Sequence, residues 1–404
     1  MRVLQVIDSY SYGGAERLLA TLNGVAPAAG LEMTAASLSP YTVERTASLP
    51  LLEAAGLQPS FIGVRKLLDP SGIRKIVAAI RASGCDVVHA HLGTSTTLVP
   101  LAAKIAKVPC VSTLHHLPRA EKPLSGKVKD HLHIRCGERG HALVFVSDAA
   151  RNAARRIYGR PFGNWITLHN GVDLSAFRPP AGPGRDELPA DLGIAPGTPV
   201  VTIVAALREP KGHEFALRAW PTVRAAVPGA TLLIVGDGPH RATLEGLAAG
   251  LGEGGESGNG VVFTGAREDV PALLRGSTLA LLPSLTEALP TSLIESAATG
   301  LPAVATTVGG TPEVIEHGST GTLVAPRDSE ALASAVVELL GDADRRELFG
   351  QAARRLAEER FDLLGWVGRL SDLYDTALRT SRTRGTRPHP DSDRAMRSEH
   401  RGVT

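Results

Sequence analysis

The stretch PSLTEALPTSLIESAATGLP, residues 283–302, sets two carboxylates, Glu287 and Glu295, among small and apolar residues in the spacing Glu-x7-Glu. An ionised carboxylate only accepts hydrogen bonds, so a pair in such surroundings suits the hydroxyls of a sugar. LALLPS reads as a strand, Thr286 to Pro290 as a loop, and Thr291 to Thr299 as a helix that stops near Gly300 with Pro302 beyond. Glu287 then lies in the loop and Glu295 about one turn inside the helix, at about 1.5 Å rise per residue, and both can face one pocket. Leu289, Pro290 and Thr291 open that helix, and the free backbone N–H groups of its first turn add positive potential suited to a phosphate. On spacing alone, one or both glutamates could equally cap or solvate the helix.

Other loops offer complementary chemistry. In SYGGAER, after the strand VLQVI, Gly13 and Gly14 permit close backbone approach, and a helix beginning near Ala15 offers N–H groups to an anion. The motif is not GxGxxG, and a plain strand-to-helix turn would read the same way. LREPKGHEF, after VVTIVA, puts Lys211 and Arg208 in a loop before a helix, where cations would neutralise a diphosphate or simply be solvated. IVGDGP adds a glycine turn, Gly236 and Gly238, at a strand end, where it can wall a flat ring.

These loops need strands and helices behind them. Short β-branched runs alternate with longer amphipathic segments, the pattern of parallel strands joined by helices. VLQVI, CDVVHAH, CVSTL and ALVFVS read as strands before the Pro/Gly-rich RPPAGPGRDELPADLGIAPGTP; VVTIVAAL, TLLIVGDG, VVFTG, LALLPS and PAVATT follow it. Two Rossmann-like halves are expected, over residues 1–178 and 179–361, then a final helix over 362–380 and a polar, Arg-rich, disordered tail over 381–404. The tail's DSD triplet, residues 391–393, looks like a metal-nucleotide motif by coincidence, with no strand before it.

With 404 residues, 43% of them hydrophobic and 21% charged, the chain can fill two cores, which excludes a disordered or fibrous protein. No apolar run approaches the roughly 20 residues of a membrane-spanning helix, and MRVLQVIDSY lacks the layout of a secretory signal, so a cytoplasmic protein is expected. Cys85, Cys110 and Cys136 are far apart with no CxxC, and read as buried thiols rather than a disulfide framework or metal site. The net charge of +2 hides an asymmetry: residues 1–178 hold 21 Lys/Arg against 12 Asp/Glu, and residues 179–380 hold 16 against 26. Domains meeting different partners, or drift over solvated faces, would each give this division. The basic excess is richest in PRAEKPLSGKVKDHLHIRCGER, residues 118–139, and in ARNAARRIYGR after it. They form either a mobile loop that docks to anionic groups or a solvated basic helix.

Taken in order, GGAER, STLH, NGVD, KGHE, VGDGP, FTG, TEALPTSLIE, GLPAVAT and GGTPEVI resemble the retaining glycosyltransferases of family 4, over residues 1 to roughly 375. The resemblance implies an α/β fold of the GT-B type: two Rossmann-like domains facing across a deep cleft, with a C-terminal helix crossing back to the N-domain. It implies a UDP- or GDP-sugar as co-substrate, a hydroxyl acceptor and no metal or other cofactor. By the same resemblance, Glu295 meets the donor ribose, Glu287 the sugar hydroxyls, Lys211 the diphosphate, the Gly14 N–H the phosphates, and His115 in STLH the transferred sugar. Gly236, Gly238, Thr264 and Ala266 border the base. His89 and His91 in DVVHAHLG share one strand face and are expected on the acceptor side; zinc ligation there would need a third ligand. His116 is expected to be structural or acceptor-facing.

Two departures from the family pattern stand out. Where the family often has G-R-L-x-x-x-K-G this chain has A-A-L-R-E-P-K-G, so Ala206 replaces an arginine that Arg208 would have to stand in for. E-G-F-P is here E-A-L-P, with Ala288 and Leu289 tightening the sugar pocket. The implied reaction is a front-face displacement in which the leaving diphosphate takes the acceptor's proton. A noncatalytic sugar-nucleotide-binding subunit and a GT-B nucleotide-sugar 2-epimerase are the alternatives. The expected setting is the cytoplasm, with peripheral association at an anionic inner membrane face and no nucleic-acid partner.

Overall fold

The computed structural model describes residues 1–11, 14–67, 69–118, 124–161, 163–182, 185–251 and 260–385. The N-terminal half holds strands β1 (Arg2–Ile7), β2 (Glu32–Ser37), β3 (Pro59–Phe61), β4 (Val87–His91), β5 (Cys110–Leu114), β6 (Ala142–Phe145) and β7 (Trp165–Thr167). Its helices are α1 (Gly14–Val25), α2 (Leu49–Ala54), α3 (Gly72–Ser83), α4 (Gly93–Ala106), α5 (Leu124–Gly137) and α6 (Asp148–Tyr158). The second half has β8 (Val200–Val204), β9 (Thr231–Val235), β10 (Val261–Gly265), β11 (Leu279–Leu282), β12 (Ala303–Thr306) and β13 (Gly321–Val324). Helices α7 (His213–Ala226), α8 (Arg241–Gly250), α9 (Val270–Gly276), α10 (Thr291–Ala298), α11 (Thr311–Val314), α12 (Ser329–Gly341), α13 (Ala343–Arg360) and α14 (Leu363–Gly385) complete the chain.

The strands pair in parallel in two sheets, ordered β3-β2-β1-β4-β5-β6-β7 and β10-β9-β8-β11-β12-β13. Central strands such as VVHAH and TLLIV are buried along their whole length, as expected of strands covered by helices on both faces. Each sheet reverses direction of growth once, between β1 and β4 and between β8 and β11, and the crevices at such reversals are where α/β sheets bind ligands.

Helix α14 ties the two halves together. Phe361 belongs to the core of the second domain, whereas Leu363, Trp366, Val367, Leu370, Tyr374 and Ala377 are buried with Leu18, Leu19 and Leu22 of α1 in the core of the first. Their spacing of three and four residues is one face of a helix. The crossing is pinned by hydrogen bonds from the Val172 N–H to the Phe361 carbonyl, 2.7 Å, and from the Leu363 N–H to the Val172 carbonyl, 3.1 Å. Gly171 makes room for it, because a β-carbon there would lie 2.8 Å from Leu363 Cα.

The helix runs on to Gly385, so residues 381–385, expected in a disordered tail, are helical. The rest of that tail, with the DSD triplet, lies outside the described residues. The basic segment is a helix, α5, from Leu124 onward rather than a loop; Arg119 and Lys122 lie outside the described residues. Cys85, Cys110 and Cys136 are buried free thiols, and no described helix is long and apolar enough to cross a membrane.

Candidate active site

The loops after β8 and β11 meet at the reversal of the second sheet. Gly212, with φ of 64°, lets them touch: a β-carbon there would sit 2.1 Å from the Pro283 carbonyl oxygen, and the Leu285 N–H donates to the Pro210 carbonyl at 2.8 Å. That contact sets Lys211 Nζ 2.6 Å from Glu287 Oε1, to which the Ser284 hydroxyl also donates at 2.7 Å. Glu287 is buried while Lys211 stays 30% exposed, so the ammonium keeps an open side toward the cleft. From behind, Gly309 and Gly310 press against the same loop; β-carbons there would collide with the carbonyl oxygens of Glu287 and Ala288. No side chain larger than hydrogen fits, and the Glu287 loop is thereby fixed.

Glu295 lies in the second turn of α10 and is 8% exposed. Burial pushes its carboxyl up to about 7, opposed in part by the charge of Arg17 on α1, and no described residue makes a hydrogen bond to it. A carboxylate so largely buried and without a donor from the protein is a ready acceptor for a ligand's hydroxyls. Helix α10 opens with Pro290 at its N-cap, and no side chain caps it, so its first N–H groups are left for a ligand.

Across the cleft, Gly14 begins α1 with open space where a β-carbon would stand, so its backbone can be approached; Gly13 lies outside the described residues. Glu16, two residues on, is a site residue that sequence reasoning missed. It is 5% exposed, and burial first, then the charge of Asp8, raise it to about 7 while Arg208 lowers it. Arg208 is exposed and acts toward this N-domain carboxylate, so its charge does face the cleft. Gly236 and Gly238 are required by packing: β-carbons would strike the carbonyls of Ala205 and Leu207. Thr264 spends its hydroxyl on the Gly265 carbonyl at 2.8 Å, and Ala266 beside it is exposed.

His115 Nε2 lies 3.0 Å from His91 Nδ1, and burial followed by the charge of His116 pushes His115 down to about 4, so the ring is neutral. The expectation that His89 and His91 line the acceptor side needs correction. Both are buried beneath the cleft floor, His89 between Tyr374 Oη and Thr113 Oγ1 at 2.7 Å each, and His91 between His115 and Gln5. Strand β4 is covered on both faces, so its polar side chains point into the core and need internal partners. All four of their ring nitrogens are so engaged, which leaves none for zinc. His116 is half-buried beside them. Among the described residues no group of three or more His, Cys, Asp or Glu is placed to hold a metal ion.

A second residue missed in the sequence bridges the domains. Glu313 of α11 accepts hydrogen bonds from the N–H groups of Asp148 and Ala149, at 2.9 and 2.7 Å, at the N-terminus of α6, and lies 2.7 Å from His169 Nε2. Burial alone would raise its pKa, but these bonds hold it below the ordinary carboxylate range. Beside this bridge opens a cleft of about 750 Å³ lined by Leu117, Lys127, Ala149, Arg156, Ile157 and Gly309.

The chain is similar to known proteins of one kind. A family model described as Glycosyltransferase Family 4 matches residues 12–176, and one described as Glycosyl transferases group 1 matches residues 198–342. A GDP-mannose-dependent alpha-(1-6)-phosphatidylinositol monomannoside mannosyltransferase of Mycobacterium tuberculosis is 34% identical over 242 residues, which are 57% of this chain and 61% of that protein. The N-acetyl-alpha-D-glucosaminyl L-malate synthase of Bacillus anthracis is 27% identical over 76% of this chain and 78% of its own length. Among solved structures, Anabaena HepE in complex with UDP and glucose superposes with a TM-score of 0.78 at 21% identity, covering 93% of this chain and all of that one. Sucrose-phosphate synthase of Thermosynechococcus elongatus gives 0.75 at 20% identity, over 94% of this chain and 100% of its own.

Proposed function

Because the chain belongs to glycosyltransferase family 4 and has the GT-B fold, we propose that it moves a hexose-type sugar from a UDP- or GDP-linked donor to a hydroxyl of a glycan, lipid-linked or small-molecule acceptor, with retention at the anomeric carbon. The observation that carries this reading is Glu295, 8% exposed and without a hydrogen bond to its carboxylate from any described residue, on the helix that follows the Glu287 loop, where Lys211 from the neighbouring loop is paired. A donor's ribose supplies Glu295 with the missing hydrogen bonds, and the sugar's hydroxyls reach Glu287. As the anomeric C–O bond to the diphosphate breaks, the new negative charge meets Lys211, Arg208, the Gly14 amide and the first turn of α10. The acceptor oxygen bonds to the same face of the anomeric carbon, and its proton passes to the departing diphosphate. No side chain has to act as a base.

The test is a screen of UDP- and GDP-sugars for thermal stabilisation of the protein, followed by transfer or hydrolysis of each stabilising donor with and without EDTA. Stabilisation with turnover that survives EDTA is expected, because Lys211 and the amides supply the positive charge. Stabilisation with neither transfer nor hydrolysis would mean a noncatalytic binding subunit, and an isomerised donor would mean an epimerase. Activity lost with EDTA and restored by magnesium would refute the metal-independent reading.

Nucleotide affinity should depend on pH through Glu295. Its carboxyl, ordinarily near 4.5, is held at about 7 in the empty protein, and a ribose diol is bound by the ionised form. Binding therefore releases a proton below about pH 7, and affinity falls as pH falls. Between pH 8 and pH 6 the dissociation constant should rise about tenfold, one pH unit past the pKa being worth about 1.4 kcal/mol. Calorimetry in buffers of different ionisation enthalpy measures the released proton; a Kd flat over this range would contradict the assignment.

The acceptor is read as anionic or displayed at an anionic membrane on the cytoplasmic side. Helix α5 supports this, for Lys127 and Lys129 are exposed beside Val128 and Leu132, apolar side chains one turn apart that are 53% and 40% exposed. Arg135 is not available for such contacts, being tied to Glu138 and to the carbonyl of Tyr158. Basic residues near an anionic surface each contribute about 1 kcal/mol. Co-sedimentation with phosphatidylserine-containing vesicles is expected, falling with salt and in Lys127→Glu/Lys129→Glu. Equal, negligible binding to neutral and anionic vesicles would leave an enzyme of soluble acceptors.

A further inference from the structure

Beneath the cleft floor, polar side chains from four elements form one chain of hydrogen bonds. His89 Nε2 pairs with Thr113 Oγ1 and its Nδ1 with Tyr374 Oη, each at 2.7 Å. Gln5 donates from Nε2 to Tyr374 Oη at 3.4 Å, and its Oε1 lies 2.7 Å from His91 Nε2. His91 Nδ1 then meets His115 Nε2 at 3.0 Å. Gln5, His89, His91 and Tyr374 are all buried, and the chain joins β1, β4 and β5 to the crossing helix α14.

The chain has a direction. An amide oxygen only accepts, so His91 carries its proton on Nε2 and presents a lone pair at Nδ1; His115 must then donate from Nε2. A neutral imidazole has a single N–H, which leaves Nδ1 of His115 as an acceptor, and no described residue bonds to it. The Gln5 amide sets this direction: turned over, it would reverse His91 and His115, with the Tyr374 hydroxyl donating to its oxygen instead.

We propose that Gln5, held by Tyr374 of the crossing helix, is a positioning residue that fixes His115 as its Nε2–H tautomer, so that His115 meets its ligand as a hydrogen-bond acceptor. Such a ring takes an O–H group and disfavours a carbonyl or carboxylate oxygen at that point, because two acceptors would face each other in a buried place. The chain thus selects a hydroxyl on the sugar or the acceptor. This rests on reading His115 as a group beside the transferred sugar.

The tautomer can be read directly from two-bond proton–nitrogen spectra of the full chain labelled on histidine nitrogens, with the His115 signal identified by its loss in His115→Gln. The Nε2–H pattern is expected. Gln5→Met, of similar length but without either bonding atom, should mix the two tautomers at His115 and lower kcat roughly tenfold with the donor KM unchanged, the size of one buried hydrogen bond. Tyr374→Phe, which removes a single oxygen, should do the same to a smaller degree and carries the test if Gln5→Met does not fold. An Nδ1–H pattern in the unaltered protein overturns the proposal, as does a Gln5→Met protein that keeps one tautomer and full kcat. Should the unaltered protein turn over no nucleotide sugar, the functional reading fails, while the tautomer measurement still decides this proposal.

Discussion

Lys211→Ala is expected to lower turnover by about a hundred- to a thousandfold, the range found when a charge-stabilising donor is removed from a developing oxyanion. The lysine is poised for this. Its Nζ rests 2.6 Å from Glu287 and keeps an open side, so it can turn toward a diphosphate while Ser284 continues to hold the carboxylate. Because the full charge on the leaving group exists only after the anomeric bond has stretched, the loss should fall mainly on kcat, with a smaller change in donor affinity. Removing the ammonium also strands a buried carboxylate, and Lys211→Ala/Glu287→Gln separates that cost from the catalytic one. If Lys211→Ala slows the Glu287→Gln protein as much as it slows the unaltered one, the lysine acts on the leaving group. A rise in KM alone, with full turnover, would remove Lys211 from the chemistry.

Glu295→Gln should produce two effects of opposite sign. Donor affinity should drop about ten- to a hundredfold, since a hydrogen bond to a charged acceptor contributes about 1.5–3 kcal/mol. The empty protein should meanwhile become more stable. A carboxyl whose folded pKa is raised from 4.5 to about 7 takes up protons on folding, so the stability it permits is full below pH 4.5 and is lost as pH rises through about 7. The amide removes that loss, and the melting temperature at pH 8 should rise while that at pH 4 stays nearly unchanged. A misfolded variant would lose both affinity and stability. Unaltered nucleotide affinity measured by calorimetry would dismiss the ribose role.

Much of the architecture is legible in the sequence, because strands buried on both faces are written as continuous apolar runs. VLQVI, CVSTL and VVFTG are strands nearly to the residue. β2 is not legible, since EMTAAS carries small and polar side chains, and β3 and β7 are edge strands of three residues, too short to show a period. β13, GTLV, has four residues, two of them Gly and Thr. The Lys211–Glu287 contact follows from sheet order, which brings the loops after β8 and β11 together although 76 residues separate them. Glu313 and Glu16 are not legible for a common reason: their meaning comes from the opposite domain, and a sequence does not announce which of its acids will meet a helix end or an arginine across a cleft. His89 and His91 share one face, as their spacing predicts, but that face meets the core, where Tyr374, 285 residues away from His89, takes one of its ring nitrogens.

The crossing at Phe361 to Leu363 also bears on how the chain is made. The first domain emerges from the ribosome with Leu18, Leu19, Leu22 and Leu168 lacking the face of α14 that covers them in the finished molecule. Its core is closed only after the entire second domain has been synthesised, so vectorial translation does not let the domains finish in the order in which they appear. A chain stopped anywhere before residue 363 leaves that apolar face open to chaperones and proteases, and every nascent chain passes through such a stage.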